Sequence, residues 1–232
     1  MSDFVIRAAS FIGMEGHGND CTGFRPWPAP VADALQRGEL EALRWGTLFS
    51  SEASRFGRMD ILSRLGLMAV ELLDAGFDTL EPAQRDTVGV GVETLSGCLV
   101  TDVRFLQMPL ASTFAYTLPS TVVGEICIRH RFRGPVMCLL PVPGQSGGLE
   151  TALGWLRRGE ASVCVCVACD CWDKKIATSV LPPQDSPAGG WQGCAVLLGW
   201  RTGARREQPL EADADSIPRL ARSYCAAAGN AP

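Results

Sequence analysis

Histidine and tyrosine are scarce, two of each, so imidazole-based chemistry has little to draw on. No apolar run reaches the roughly 20 residues that cross a bilayer as a helix, which excludes a membrane span. An excess of either charge is missing as well. Lys and Arg number 21 against 25 Asp and Glu, for a net charge of −4 and a pI near 5.3. That balance leaves no electrostatic footprint for nucleic acid or for an anionic membrane. The start, "MSDFVIRAASF", carries Asp3 where a secretory leader carries basic residues, and no cleavage-like region follows. The expected location is therefore cytoplasmic, where a disulfide framework is not expected. The ten cysteines then read as thiols that pack like small hydrophobes. Cys127, Cys138, Cys164, Cys166 and Cys194 all fall inside apolar runs.

What is present is core-forming material: 47% of the 232 residues are hydrophobic, enough for a real interior. With no repeat, low-complexity tract or linker, a single domain over residues 1–232 is expected. "FVIRAASFIG" reads as an opening strand, followed by a Gly- and Pro-rich loop and a polar helix near Val31 to Trp45. "ILSRLGLMAVELLDAGF" has the widest apolar stripe of any segment, with Gly76 placed to end a helix. "TVGVGVETLSG" reads as a strand and turn, in which Gly89 and Gly91 imply close approach of another backbone. "CLVTDVRFLQM" follows as a helix. "TLPSTVVGEICIRHRFRGP" has loop-to-helix character, and "VMCLLPV" is a strand. "SGGLETALGWLRRG" is a helix, "ASVCVCVAC" and "GGWQGCAVLLGW" are strands, and "SIPRLARSYCAAA" is a terminal helix. Strands alternating with helices imply an α/β layered fold on a largely parallel sheet.

The strand-to-helix elbow in "RGPVMCLLPVPGQSGGLETALGWLRRG" is where an α/β protein displays a nucleophile. Here it holds Pro143, Gly144, Gln145 and Ser146, with no thiol at its tip. Ser146 has no histidine nearby in sequence, so a helix cap with Glu150 in the next turn is the preferred role. Cys164, Cys166, Cys169 and Cys171 form C-x-C-x2-C-x-C, but Cys164 and Cys166 alternate with valines in strand period. Buried thiols are preferred to a metal site, and no metal or cofactor is expected. Cys169 and Cys171, at the strand's end, are expected to be the reactive ones. Cys138, mid-strand, reads as structural. "GHGND" reads as a flexible surface loop rather than a phosphate cradle. Arg58 and Asp60 mark a subunit contact or a helix start. Glu93 and Asp102 have no spacing that marks an acid/base pair.

Four stretches resemble, in order, the amino-terminal half of β-ketoacyl synthases, the thiolase-fold condensing enzymes. They are "RFGRMDILSRLGLMAVELLDAGF", "TLPSTVVGEICIRHRFRGP", "LRRGEASVCVCVACD" and "GGWQGCAVLLGW". The resemblance implies a thiolase-like fold, the amino-terminal half of a ketosynthase. It places the nucleophile at Pro143, counting from Gly134-Pro135, or at Gln145, matching "GQSGGLETAL" to chain length factors. Neither residue forms a thioester. His17 and His130 match no catalytic histidine of the family, and the chain ends after the first lobe's last strand.

The resemblance therefore implies a non-catalytic, chain-length-factor-like subunit. It would act with a full-length ketosynthase in fatty-acid, aryl-polyene or polyketide-type biosynthesis, with an acyl carrier protein as a further partner. Tyr116, Thr117 and Gln145 would line an acyl tunnel or pocket. Edge-to-edge pairing would run through "SVCVCVAC", giving Cys164, Val165, Cys166 and Val167 to the interface. Two alternatives stay open: a stand-alone acyltransferase using Cys138, Cys169 or Ser146, and a homodimeric scaffold. A half fold would also leave one helical face uncovered, to be closed by association or by the chain's own tail.

Overall fold

The structure is a computed structural model that describes residues 4–36, 39, 42–50, 53–140, 147–172, 190–202, 207–210 and 216–229. Its strands are β1 (Phe4–Gly13), β2 (Gly16–Asn19), β3 (Gly23–Pro26), β4 (Val88–Glu93), β5 (Val136–Leu139), β6 (Val163–Trp172), β7 (Gly190–Trp200) and β8 (Gln208–Pro209). The helices are α1 (Ala29–Gln36), α2 (Ile61–Leu72), α3 (Pro82–Arg85), α4 (Leu99–Gln107), α5 (Ala111–Phe114), α6 (Thr121–His130), α7 (Gly147–Arg157) and α8 (Ile217–Gly229). One eight-stranded sheet runs in the order β3-β2-β1-β7-β6-β4-β5, with β8 beside β1. The parallel pairing implied by strand–helix alternation is confined to β5-β4-β6. The remaining pairs are antiparallel, so the sheet is mixed.

Strand alternation sorts the core into two layers. Val165, Val167, Ala195 and Leu197 face α2 and α6, against Leu62, Leu65, Met68 and Ile126. Cys164, Cys166, Cys194 and Val196 face α7 and α8, against Leu149, Trp155, Ile217 and Leu220. The tail helix α8 thus closes part of the face that a half fold would leave open, burying Ile217, Leu220, Ala221 and Cys225.

Helix α2 starts where its stripe predicts. Asp60 is its N-cap, accepting from Ser63 N at 3.0 Å, and it also accepts from Thr101 Oγ1. It ends before Gly76, because the chain turns left-handed already at Asp74, φ 47°. Helix α6 likewise stops at Arg131, φ 58°, short of Gly134-Pro135. "GHGN" is not a loop but β2, paired with both β1 and β3, with His17 packed 4.9 Å from the Trp27 ring. At Gly89 the close neighbours are the side chains of Cys164 and Trp155, while the backbone oxygen of Gly148 approaches Gly91. Helix α7 therefore lies close on β4.

Strand β6 is interior. Its edges are taken by β7 along its length and by β4 from Val163 to Ala168, and Cys164, Val165, Cys166 and Val167 are all 0% exposed. Edge-to-edge pairing at this strand is excluded, because every backbone group it would use is already committed within the chain. The uncharged, β-branched sequence that implied a paired edge belongs instead to a strand buried on both faces.

Candidate functional site

The elbow residues Pro143, Gly144, Gln145 and Ser146 lie outside the described residues. Their surroundings are described. The carboxyl ends of β4, β5 and β6 meet the amino terminus of α7, and Thr94 N donates to Leu139 O at 3.1 Å across β4 and β5. Glu93, the last residue of β4 and 5% exposed, points at α7: its Oε1 accepts from Gly148 N. A Cβ at position 148 would sit 2.7 Å from that same oxygen, so Gly148 and Glu93 fit only each other's shape. The first turn of a helix exposes unsatisfied N–H groups and a partial positive charge, and an anion placed there is stabilised. In α7 that place holds a carboxylate supplied by the sheet.

On the neighbouring strand, Asp170 ends the same row. Its Oδ1 accepts from Leu95 N at 2.7 Å, Ser96 N at 2.8 Å and Thr94 Oγ1 at 3.1 Å. Burial raises its pKa against the opposing pull of those donors. Asp170 thereby ties the loop after β4 to the end of β6. Neither carboxylate emerged as a site residue from spacing, since Glu93 and Asp170 lie far apart in sequence. Parallel pairing of β4 with β6 brings the two strand ends together.

Tyr116 and Thr117 separate. Tyr116 lines a cavity of about 680 Å3 with Met59, Asp60, Thr101, Arg104 and Met108. Its hydroxyl donates to Glu125 Oε1 at 2.9 Å, and Arg55 grips the same carboxylate with two bonds of 2.8 and 3.0 Å. The Arg55 bond, against burial and aided by Tyr116, holds Glu125 below the ordinary carboxylate range. Thr117 turns its hydroxyl to Phe114 O at 2.8 Å, a local turn contact. In the same stretch of chain, from α4 to the start of α6, the apolar residues Leu106 (80% exposed), Met108, Phe114 and Leu118 are exposed.

The buried thiols are poor nucleophiles. Cys169 and Cys171 are buried, against the expectation of reactivity at the strand's end. Burial pushes the Cys169 thiol well above its ordinary value and also raises Cys138. Cys98 is pushed up to about 12 by burial and by Asp60, Asp102 and Cys138. The C-x-C-x2-C-x-C thiols do not converge: Cys164 and Cys166 face α7, and Cys169 and Cys171 face α2. Among the ten cysteines Cys21 is the exposed one. Iodoacetamide under native conditions is therefore expected to alkylate Cys21 first, with Cys138 and Cys169 labelled only after denaturation. Peptide mass mapping reads the order, and rapid native labelling of Cys138 or Cys169 would revive a thiol-based enzyme.

No family model matches the chain, and no curated protein matches its sequence. Solved structures do match in fold. The chain is similar to the ishigamide ketosynthase/chain length factor over 88% of its own length and 64% of the other, at 16% identity and a TM-score of 0.63. It is similar to a type II polyketide synthase acyl-carrier protein in complex with its ketosynthase bound to the hexaketide, over 87% and 63%, at 15% identity and a TM-score of 0.56. A third is the ketosynthase in complex with its chain length factor from Xenorhabdus doucetiae, over 88% and 81%, at 14% identity and a TM-score of 0.59. The chain spans less than two thirds of the first two. Its mixed sheet covered by helices is thiolase-like, as in the ketosynthases.

Proposed function

We propose that the protein is a ketosynthase-like subunit of the chain-length-factor kind, inert by itself and working beside a full-length ketosynthase. The observation that carries this reading is the Glu93 carboxylate bonded to Gly148 N at the start of α7. A condensing enzyme of this fold would build up an anionic sulfur at that turn, assisted by the helix's positive end. A carboxylate already seated there cancels that assistance and repels a second negative charge. The absence of a cysteine between Val136 and Arg157 other than Cys138, which is mid-strand and raised by burial, points the same way.

A partner has a defined place to attach. Of the sheet's two outer strands, β3 ends in Arg25 and Pro26, residues that discourage pairing. Strand β5 is "VMCL", uncharged and Pro-free, and among the described residues it pairs only with β4. Val136 is 53% and the adjoining Leu140 67% exposed. The partner strand would run along this edge and cover Val136, Leu140 and the apolar surface near Phe114. Tyr116 and the elbow with Gln145 would then face the acyl tunnel at the junction, where an acyl carrier protein delivers its chain.

Co-expression with a ketosynthase encoded beside this gene tests the reading. Copurification is expected, as is a change in product length when this subunit is present. The double variant Val136→Glu, Leu140→Glu should weaken the association at least about a hundredfold while leaving the monomer folded, because both side chains are exposed. Sedimentation or light scattering of the mixture measures it. A wild-type chain that forms only dimers of itself, or a double variant that binds normally, would refute the heteromeric reading.

A further inference from the structure

A cavity of about 600 Å3 opens at the ends of β1, β6 and β7 beneath α8. Phe11, Phe24 and Trp172 supply aromatic wall, and Asp170, Gln192 and Arg222 supply polar groups. Asp170 is 6% exposed, yet it is only half satisfied. The bonds from Leu95 N, Ser96 N and Thr94 Oγ1 all land on Oδ1, and the Ser96 side chain also favours the charged carboxylate. Among the described residues Oδ2 has no hydrogen-bond partner, and the residue lines the cavity.

Asp170 and Gln192 are register partners on β6 and β7, so their side chains stand on one face of the sheet, with Cβ atoms about 5 Å apart. Gln192 Oε1 in turn accepts from Arg222 Nη2 at 2.9 Å. The Arg222 guanidinium lies 5.0 Å over the Phe11 ring and forms no ion pair among the described residues. A carboxylate oxygen and a guanidinium, neither in an ion pair among the described residues, thus flank a single amide under an aromatic wall. A ligand with one charge would leave the other pole unmatched in a partly dry site.

We propose that this cavity binds a small zwitterion with an apolar body, an aromatic or long aliphatic amino acid. The ammonium group donates to Asp170 Oδ2, the carboxylate meets Arg222, and the side chain lies against Phe11, Phe24 and Trp172. This binding does not need the subunit reading, since the cavity is lined from β1, β6, β7 and α8 and not from the β5 edge.

Calorimetry on the full chain at neutral pH tests it with three probes: phenylalanine, 3-phenylpropionate without the amine, and phenethylamine without the carboxylate. Phenylalanine should bind saturably, and each half-analogue should bind roughly tenfold more weakly or worse. Asp170→Asn keeps an Oδ1 for the loop donors and places an N–H2 where Oδ2 was. In that variant phenylalanine should fall to the level of 3-phenylpropionate. Arg222→Gln, at an exposed side chain, should bring phenylalanine to the level of phenethylamine and carries the test if Asp170→Asn does not fold. No saturable heat from phenylalanine up to about 10 mM, equal affinity for the three probes, or a folded variant with wild-type affinity would overturn the proposal.

Discussion

Between pH 7 and pH 4 the protein is expected to lose about 3 kcal/mol of unfolding free energy through one imidazole. Burial, reinforced by the Arg129 charge, lowers the His130 pKa from 6.5 to about 4. The ring stacks on Phe132 at 5.1 Å and meets the Phe77 edge at 5.2 Å, and neither nitrogen has a hydrogen-bond partner among the described residues. Glu71, 3.7 Å from Nε2, is already held by Arg129 at 2.7 Å. The unfolded chain takes up a proton near pH 6.5 and the folded chain only near 4. Across that window the unfolded state binds more protons, so stability is full above it, falls by about 1.4 kcal/mol per pH unit as the pH drops through it, and levels off below. Glu125, depressed by Arg55, adds a loss of the same sign only further into acid. Burial and the Arg25 charge also lower His17, so urea titrations from pH 7 down to about pH 5 read the two histidines ahead of the carboxylates, and the His130 variant separates them. His130→Phe, which keeps the ring and removes the titration, should flatten the profile. A variant with the wild-type slope would show that another group carries it.

Gly193→Ala should destabilise by about 2 kcal/mol, the reverse of what the exchange does in an unobstructed strand. Position 193 lies in β7 where α2 crosses the sheet. A Cβ there would stand 2.7 Å from the Leu65 carbonyl oxygen and 3.0 Å from Ile12 Cγ2. The obstacle is helix backbone in the fully buried stretch Leu65–Val70, which cannot rotate aside as a side chain could. The helix must shift away from β7, loosening contacts of Leu62, Leu65 and Met68 that are 0 to 1% exposed. Chemical denaturation reads the loss. A stability gain in Gly193→Ala would mean that α2 moves off the sheet at little cost.

Local signals carried most of the architecture. The stripe from Ile61 and the N-cap at Asp60 placed α2, the valine alternation placed β6, and "SIPRLARSYCAAA" placed α8. The errors fell where partners in space decide. "GHGN" has no strand propensity of its own and becomes β2 because β1 and β3 flank it. Strand β6 read as an edge because an apolar run is equally compatible with a buried position. Order in the sheet is a property of crossovers, which periodicity does not encode. The same holds for the two carboxylates: Asp170 sits within "CDCW" and Glu93 within "VETLS", and only the pairing of β4 with β6 makes them neighbours of one strand end. The elbow's missing thiol was plain in the sequence, whereas the carboxylate seated on α7 needed coordinates to be seen.

The position of α8 has a consequence for how larger assemblies can grow. With Ile217, Leu220 and Ala221 pressed onto the sheet, the broad side next to α7 is already roofed. A neighbour arriving there would first have to pry the roof away, whereas β5 pairs only with β4 among the described residues. A partner of the kind proposed above would thereby join sideways, prolonging the sheet, and stacking on the roofed side would be disfavoured.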